Sequence, residues 1–417
     1  MLHTARQFGP VARLRLGPLT YHLVSGAPEV EQVLAEKADN YRRDTRSSRT
    51  IRLLTGESLL TSEGENWRRQ RRLAQPIFHQ RRLAELAGVM CAVARQTAAA
   101  WERNLCPFDL AAEMSRLAFR VVGRCLFGAE LDGCAGPIER SMPVLLGELF
   151  RRTSSALSFP LWLPTARHRA FRDALRDVDQ VVTALISGQR GNASERTDLL
   201  SLLLAARDED GAPLADAELR NHTLTFLLAG HETTASTLTW TLSLLDEHPH
   251  VRSALEMELD AVLAGATPTL DALPRLPLLD AVLRESLRLY PSIWISERTV
   301  VANDVIGGYS IPAGSTVVVS AYASQRLDAY WDTPDSFRPE RFQGRPSLPG
   351  LREGYFPFGA GPHLCIGQHF AVMEAKLLLA TLLQRFRIRK LDHAFPALLG
   401  GITLRPRDPV LVRLELR

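Results

Sequence analysis

The chain has 417 residues, 46% hydrophobic and 23% charged, a globular balance that excludes a disordered or fibrous protein, and its net charge of +4 is too small to imply a nucleic-acid partner. Its five cysteines are odd in number and form no Cys-x-x-Cys pair, which argues against a disulfide framework or a zinc site; Cys91, Cys106, Cys125 and Cys134 read as small buried hydrophobes. The N-terminal MLHTARQFGPVARLRLGPLT has neither the ~20 apolar residues of a membrane span nor the apolar core of a secretory signal, so a soluble, cytoplasmic chain without a membrane anchor is expected, monomeric by default.

In chain order, the first half is expected to be largely helical. Ala/Leu/Arg-rich stretches at helical spacing cover Gln80 to Arg103 and Met114 to Phe127, and the Pro-rich run from Phe159 to Pro164 interrupts the pattern. The polar stretch from Gly188 to Glu195 reads as a loop. A long helix should run from about Ala217 to Glu247, capped by Asp216 and stopped by Pro249. Another should cover Leu278 to Leu289 and end before Pro291. β-Branched runs follow at Arg298 to Val301 and Ser315 to Ser320, with turns at Gly307-Gly308 and Pro312-Ala313-Gly314. A last helix should begin near Cys365 and reach about Arg385, and the tail from Gly400 to Leu416 alternates as strand does. The fold class is mainly α with a small β portion late in the chain.

The segment Phe356-Pro357-Phe358-Gly359-Ala360-Gly361-Pro362-His363-Leu364-Cys365-Ile366-Gly367 carries the most information. Its glycines permit left-handed turns and close approach of a flat ligand. A sulfur beside a helix N-terminus is favoured as thiolate by backbone N–H groups and the helix dipole, and a thiolate so held suits the axial position of a haem iron. Midway along the long helix, Ala229-Gly230-His231-Glu232-Thr233-Thr234 puts an acid and a hydroxyl side by side. Such a pair can bind water and relay protons, and Gly230 would let a planar cofactor or O2 approach the backbone. Glu285 and Arg288 share a helix face at i,i+3 spacing. Trp67 and Arg71 form a Trp-x-x-x-Arg pattern early in the chain.

With these residues in this order, the sequence resembles the cytochrome P450 family from near residue 10 to the C-terminus. The resemblance implies a single domain over 1–417, a triangular helical prism with haem b between the long helix and the cysteine loop. It assigns Cys365 to the iron, and the haem contacts to His363, Arg298, Trp67, Arg71, Phe358, Gly359, Gly367, Ala229 and Gly230. His363 stands where the family usually has Arg. Thr233 becomes the O2-stabilising hydroxyl and Glu232 the proton-delivery acid. Glu285 and Arg288 become a buried scaffold pair joined by Arg341 from Phe337-Arg338-Pro339-Glu340-Arg341-Phe342. Substrate-facing candidates by family position are Phe226, Ile293, Trp294, Ile295 and Ile402, with Trp162 beside them.

The implied activity is a monooxygenase that places one atom of O2 into a C–H or C=C bond of a lipophilic molecule, with terpenoid, fatty-acyl and polyketide-like compounds as the candidate classes, in bacterial secondary metabolism. About fifty residues follow Gly367, too few for a flavin reductase. Electrons from NAD(P)H should therefore arrive through a ferredoxin reductase and an acidic ferredoxin, docking on Arg68, Arg69, Arg71, Arg72, Arg81 and Arg82. The alternatives are a peroxygenase using H2O2, against which Glu232 and Thr233 argue, and a non-enzymatic haem sensor, for which no output module is visible.

Overall fold

A computed structural model describes residues 1–17, 19–128, 132–155, 159–190, 198–207, 211, 213–344 and 349–417, with the side chains at 16, 80, 132–135 and 190 outside that description. It is 60% helical. The first part alternates short helices with strands: α1 (Leu2–Phe8), β1 (Val11–Leu16), β2 (Leu19–Val24), α2 (Ala27–Glu31), β3 (Tyr41–Arg42) and α3 (Arg46–Thr55). A run of helices follows: α4 (Gly64–Ala74), α5 (Gln80–Arg103), then after strand β4 (Phe108–Asp109) α6 (Leu110–Phe127), α7 (Asp132–Ser154), α8 (Ala166–Arg190), α9 (Leu199–Ala205), α10 (Asp216–Glu247), α11 (Pro249–Leu263) and α12 (Pro277–Leu289). The last part holds β5 (Ser296–Val300), β6 (Asp304–Ile306), β7 (Tyr309–Ile311), β8 (Thr316–Val319), α13 (Ala321–Ser324), α14 (Gln368–Leu383), β9 (Phe386–Lys390), β10 (Leu398–Gly400), β11 (Leu404–Pro406) and β12 (Leu411–Leu416).

The expected elements form, with local differences, but the strands are not confined to the late part of the chain: β1, β2 and β3 lie within the first 42 residues and pair with β8 and β5. Helix α6 begins four residues before Met114, because the Asp109 carboxylate accepts from the Ala111 N–H and caps it. Asp216 is the first residue of α10 and does not cap it; Ala215 holds that position without a side-chain bond, and Asp216 and Glu218 lie in the first turn, where the helix dipole favours negative charge. Helix α8 continues to Arg190, past the start of the loop expected from Gly188, and the rest of that loop lies outside the described residues. The C-terminal tail is two strands in different sheets, β11 against β10 and β12 between β4 and β9.

A five-stranded mixed sheet in the order β1-β2-β8-β5-β3 joins the two ends of the chain. Within it β2 and β8 are parallel, and β5 is antiparallel to both β8 and β3. The main core lies among the helices, where α10 is nearly engulfed: every residue from Thr234 to Leu245 is buried. Two cysteines fit the expectation of small core residues, Cys91 and Cys125, whereas Cys106 is exposed in the segment after α5. The Cys134 side chain lies outside the described residues.

Candidate functional site

Cys365 sits three residues before α14, at the end of a loop shaped by glycine. Gly359 and Gly361 both have left-handed φ, at 77° and 67°. A Cβ on Gly361 would fall 1.8 Å from the Leu34 carbonyl oxygen, so no other residue fits there. The Cys365 N–H donates to Phe358 O at 3.0 Å, folding the loop back on itself. The sulfur accepts from the Gly367 N–H and feels the Arg71 guanidinium, and both favour the thiolate. Burial outweighs them and pushes the thiol up from its ordinary value, which corrects the expectation that helix position alone would ionise it. A cationic ligand on the sulfur would reverse the balance.

Arg71 binds the loop directly, its Nη1 donating to Leu364 O at 3.0 Å. It also lies over the Trp67 ring at 5.5 Å, and the Trp67 ring meets His363 edge-on at 4.2 Å. Arg43, absent from the sequence-based candidates, approaches the other side of Trp67 at 5.9 Å. Arg298, on β5, is buried, and the hydrogen bond its side chain makes is Nη1 to Glu297 O at 2.8 Å. Burial and neighbouring Arg43 lower its guanidinium to about 10, eased by Glu63. His363 is pushed down to about 3 by burial and by Arg43, Arg298 and Arg71, so its ring is neutral, and its buried Nδ1 has no partner among the described residues.

Three guanidiniums and a neutral imidazole therefore converge, and Glu63 is the carboxylate that answers them: it accepts from Arg43 Nε at 2.9 Å and lies 4.0 Å from His363 Nε2. A surplus of two positive charges remains in a largely buried cluster, which is costly without partners. It lies beside a lone cysteine that keeps accessible surface although protein closely surrounds it. This donor set fits an iron porphyrin with two carboxylates: Cys365 for the metal, and Arg43, Arg71, Arg298, His363 and Trp67 for the propionates.

The second wall of accessible surface is on α10. Ala229 is exposed, and Gly230, Glu232 and Thr233 are partly so, in a helix otherwise sunk in the core. Phe78 links this helix to the cysteine loop: its ring lies 5.9 Å from Phe226 on α10 and 6.3 Å from Phe370 on α14, and it faces Gly367. Gly230 also serves packing: a Cβ there would lie 2.8 Å from Val122 Cγ2 on α6, so the glycine permits the two helices to approach closely.

Thr233 Oγ1 donates to Ala229 O at 2.7 Å, leaving its lone pairs free as acceptors. The Thr233 carbonyl accepts from Ser292 and Thr237, at 2.9 Å each. Glu232 Oε1 accepts from Thr403 Oγ1 at 3.0 Å, across to the turn between β10 and β11. Acid and hydroxyl are thus adjacent in the chain but bonded in different directions.

Glu285 and Arg288 are wholly buried and paired at 2.7 and 2.8 Å. Arg341 Nε reaches Glu285 Oε1 at 3.3 Å, and the Arg338 N–H donates to the same oxygen at 2.8 Å. Arg288 also donates to the carbonyls of Gln325, Pro334 and Ser336. Gln325 in turn accepts from the Phe356 N–H at 3.0 Å, so the ion set is wired to the first residue of the cysteine segment.

The substrate-facing candidates do not form one group. Phe226 is buried against Phe78 and is a core residue. Ile293 is exposed, while Ile295 and Ile402 are half-buried. Trp294 is committed to structure: its Nε1 donates to Gly401 O at 3.0 Å, and its ring occupies the space where Gly400 would carry a Cβ. Trp162 is 74% exposed on the segment between α7 and α8. Arg43 and Thr403 were missed because nothing in Tyr41-Arg42-Arg43 separates the inward arginine from exposed Arg42, and nothing near Thr403 marks its partner 171 positions away.

The family model "Cytochrome P450" matches residues 1–410. Among curated proteins, "Cyclooctatin synthase" of Streptomyces melanosporofaciens is 35% identical over 96% of this chain and 85% of its own length. "Cyclooctat-9-en-7-ol 5-monooxygenase" of the same organism is 34% identical over 91% and 83%. "Pentalenene oxygenase" of Streptomyces avermitilis is 34% identical over 91% and 84%. Among solved structures, the crystal structure of the cytochrome P450DA heme domain superposes with a TM-score of 0.91 at 29% identity, covering 100% of this chain and 92% of that one.

Proposed function

The chain belongs to the cytochrome P450 family and is a monooxygenase of that family, and we propose that it oxidises a polycyclic terpenoid using electrons delivered by a ferredoxin. The observation that carries the haem-dependent chemistry is the cysteine loop with its two-charge surplus, suited to a dicarboxylate iron porphyrin. When bound, the haem supplies the activation of O2, from which one atom enters a C–H or C=C bond of the substrate and the other leaves as water.

The residues of the chain perform the remaining tasks. Cys365 supplies the metal ligand, and its hydrogen bond from Gly367 moderates the charge it donates. Arg43, Arg71, Arg298, His363 and Trp67 would hold the two carboxylates of the bound haem. Thr233, with its proton turned to Ala229, presents its lone pairs to a donor in the accessible space. Glu232 is the acid that passes protons inward from the β10–β11 side. Ile293, Ile295 and Ile402 contribute apolar surface that orients a lipophilic guest and excludes water. The terpenoid class follows from the relatives named for cyclooctat-9-en-7-ol and pentalenene.

Two substitutions test the reading. Cys365→Ala should abolish the red-shifted Soret band of the reduced carbon monoxide complex, and its survival would overturn the ligand assignment. Thr233→Ala should keep that band while diverting NAD(P)H equivalents from product to peroxide; unchanged coupling would remove Thr233 from oxygen handling.

A further inference from the structure

Thr403 gives Glu232 its hydrogen-bond partner, and the hairpin that carries Thr403 is anchored unevenly. On one side, Leu404 is pinned three times: its N–H donates to Ser292 O at 2.9 Å, and its carbonyl accepts from Ser236 at 2.6 Å and from Trp240 Nε1 at 3.0 Å. Both acceptor bonds come from α10 itself. On the other side, all three residues of β10 are half-exposed, and the tip is tied by the Trp294 indole to Gly401 O. The turn closes on itself through Gly401 N–H to Thr403 O at 3.1 Å. Ile402, between the two, is half-buried, whereas Thr403 is buried. Trp294 is flanked by exposed Ile293 and half-buried Ile295. A guest resting on these apolar residues therefore bears on the tip of the hairpin, one residue from the hydroxyl that holds Glu232 and outside the bonds that pin Leu404 to α10.

We infer that Thr403 is a positioning residue that parks Glu232 against the β10–β11 turn, and that a guest displacing the tip breaks this bond and frees the acid to serve the Thr233 side. The inference rests on the proposed role of Glu232 as the proton-delivery acid. The physical logic is linkage: a guest that must break a bond binds more weakly by the worth of that bond, and removing the bond in advance returns the affinity. A hydrogen bond is worth enough to change affinity roughly tenfold.

The test is a double-mutant cycle on binding rather than turnover. The haem-loaded protein is titrated with pentalenene and with cyclooctat-9-en-7-ol, and dissociation constants are read by equilibrium dialysis and by the haem spin-state shift. Thr403→Val is expected to bind the better probe roughly tenfold tighter than the parent. Glu232→Ala, which removes the same bond from the other end, should gain similarly, and the double variant should gain no more than either single one. Thr403→Ser keeps the hydroxyl and should behave as the parent. Affinities unchanged in Thr403→Val and Glu232→Ala, or gains that add in the double variant, overturn the coupling. The role of Glu232 is read separately: Glu232→Gln should lower product per NAD(P)H consumed, and full coupling in that variant removes the acid assignment while the binding cycle still decides whether the guest breaks the bond.

Discussion

Single residues in this chain are held in place by partners far away in sequence, and two of them make sharp predictions. Glu285 neutralises Arg288 and Arg341 where water does not reach. Glu285→Ala would strand those guanidiniums and should cost about 3–5 kcal/mol, seen as a lower denaturation midpoint or loss of folded protein. Glu374, on α14, is wholly buried; its Oε2 accepts from Thr234 at 3.2 Å and its Oε1 has no partner among the described residues. Burial raises its pKa well above the usual carboxylate value, so the folded protein holds this proton to higher pH than the unfolded chain does. Stability from this group is present in acid and falls as pH rises beyond the ordinary carboxylate range. Glu374→Gln removes that dependence, and its denaturation midpoint should gain on the parent more at pH 8 than at pH 5. An equal difference at both would mean that the carboxyl is ionised in the fold.

At the scale of elements, the pairing of α10 with α6 decides how close the central helix can lie. Alanine is the better helix former by about 1 kcal/mol, but at Gly230 its methyl would enter the space of Val122. Overpacking of this kind costs about 1–3 kcal/mol, so Gly230→Ala should be destabilising on balance. Val122→Ala opens the space, and the double variant should be more stable than the two single losses predict when added. Strict additivity would refute the packing role. The sequence showed that α10 is long and where its polar break lies, since both follow from local pattern. The packing of its glycine on Val122 was not legible, because Val122 is over a hundred positions away.

For the whole molecule, the six arginines expected to dock a partner divide three ways, Arg71 being committed to the cysteine loop through Leu364 O. Arg69 is paired with Glu218 of α10, Arg68 with Glu65 and Arg82 with Glu85. Arg72 and Arg81 are exposed and have no carboxylate partner among the described residues, so they carry the proposed attraction for an acidic ferredoxin. Reduction by ferredoxin should slow as ionic strength rises, and Arg72→Gln with Arg81→Gln should flatten that dependence, whereas Arg68→Gln should leave it nearly unchanged. A salt-independent rate would exclude electrostatic docking there. The sequence by itself determined the family, the helical class and the residues of the cysteine loop, because glycine conformation, helix periodicity and short motifs are local properties of the chain. Tertiary structure alone decided that Arg43 joins Arg71 and Arg298 around His363, that Phe226 turns into the core, and that Thr403 holds Glu232. These depend on which segments meet in space, and burial and charge act on a side chain through whatever neighbours the fold brings to it.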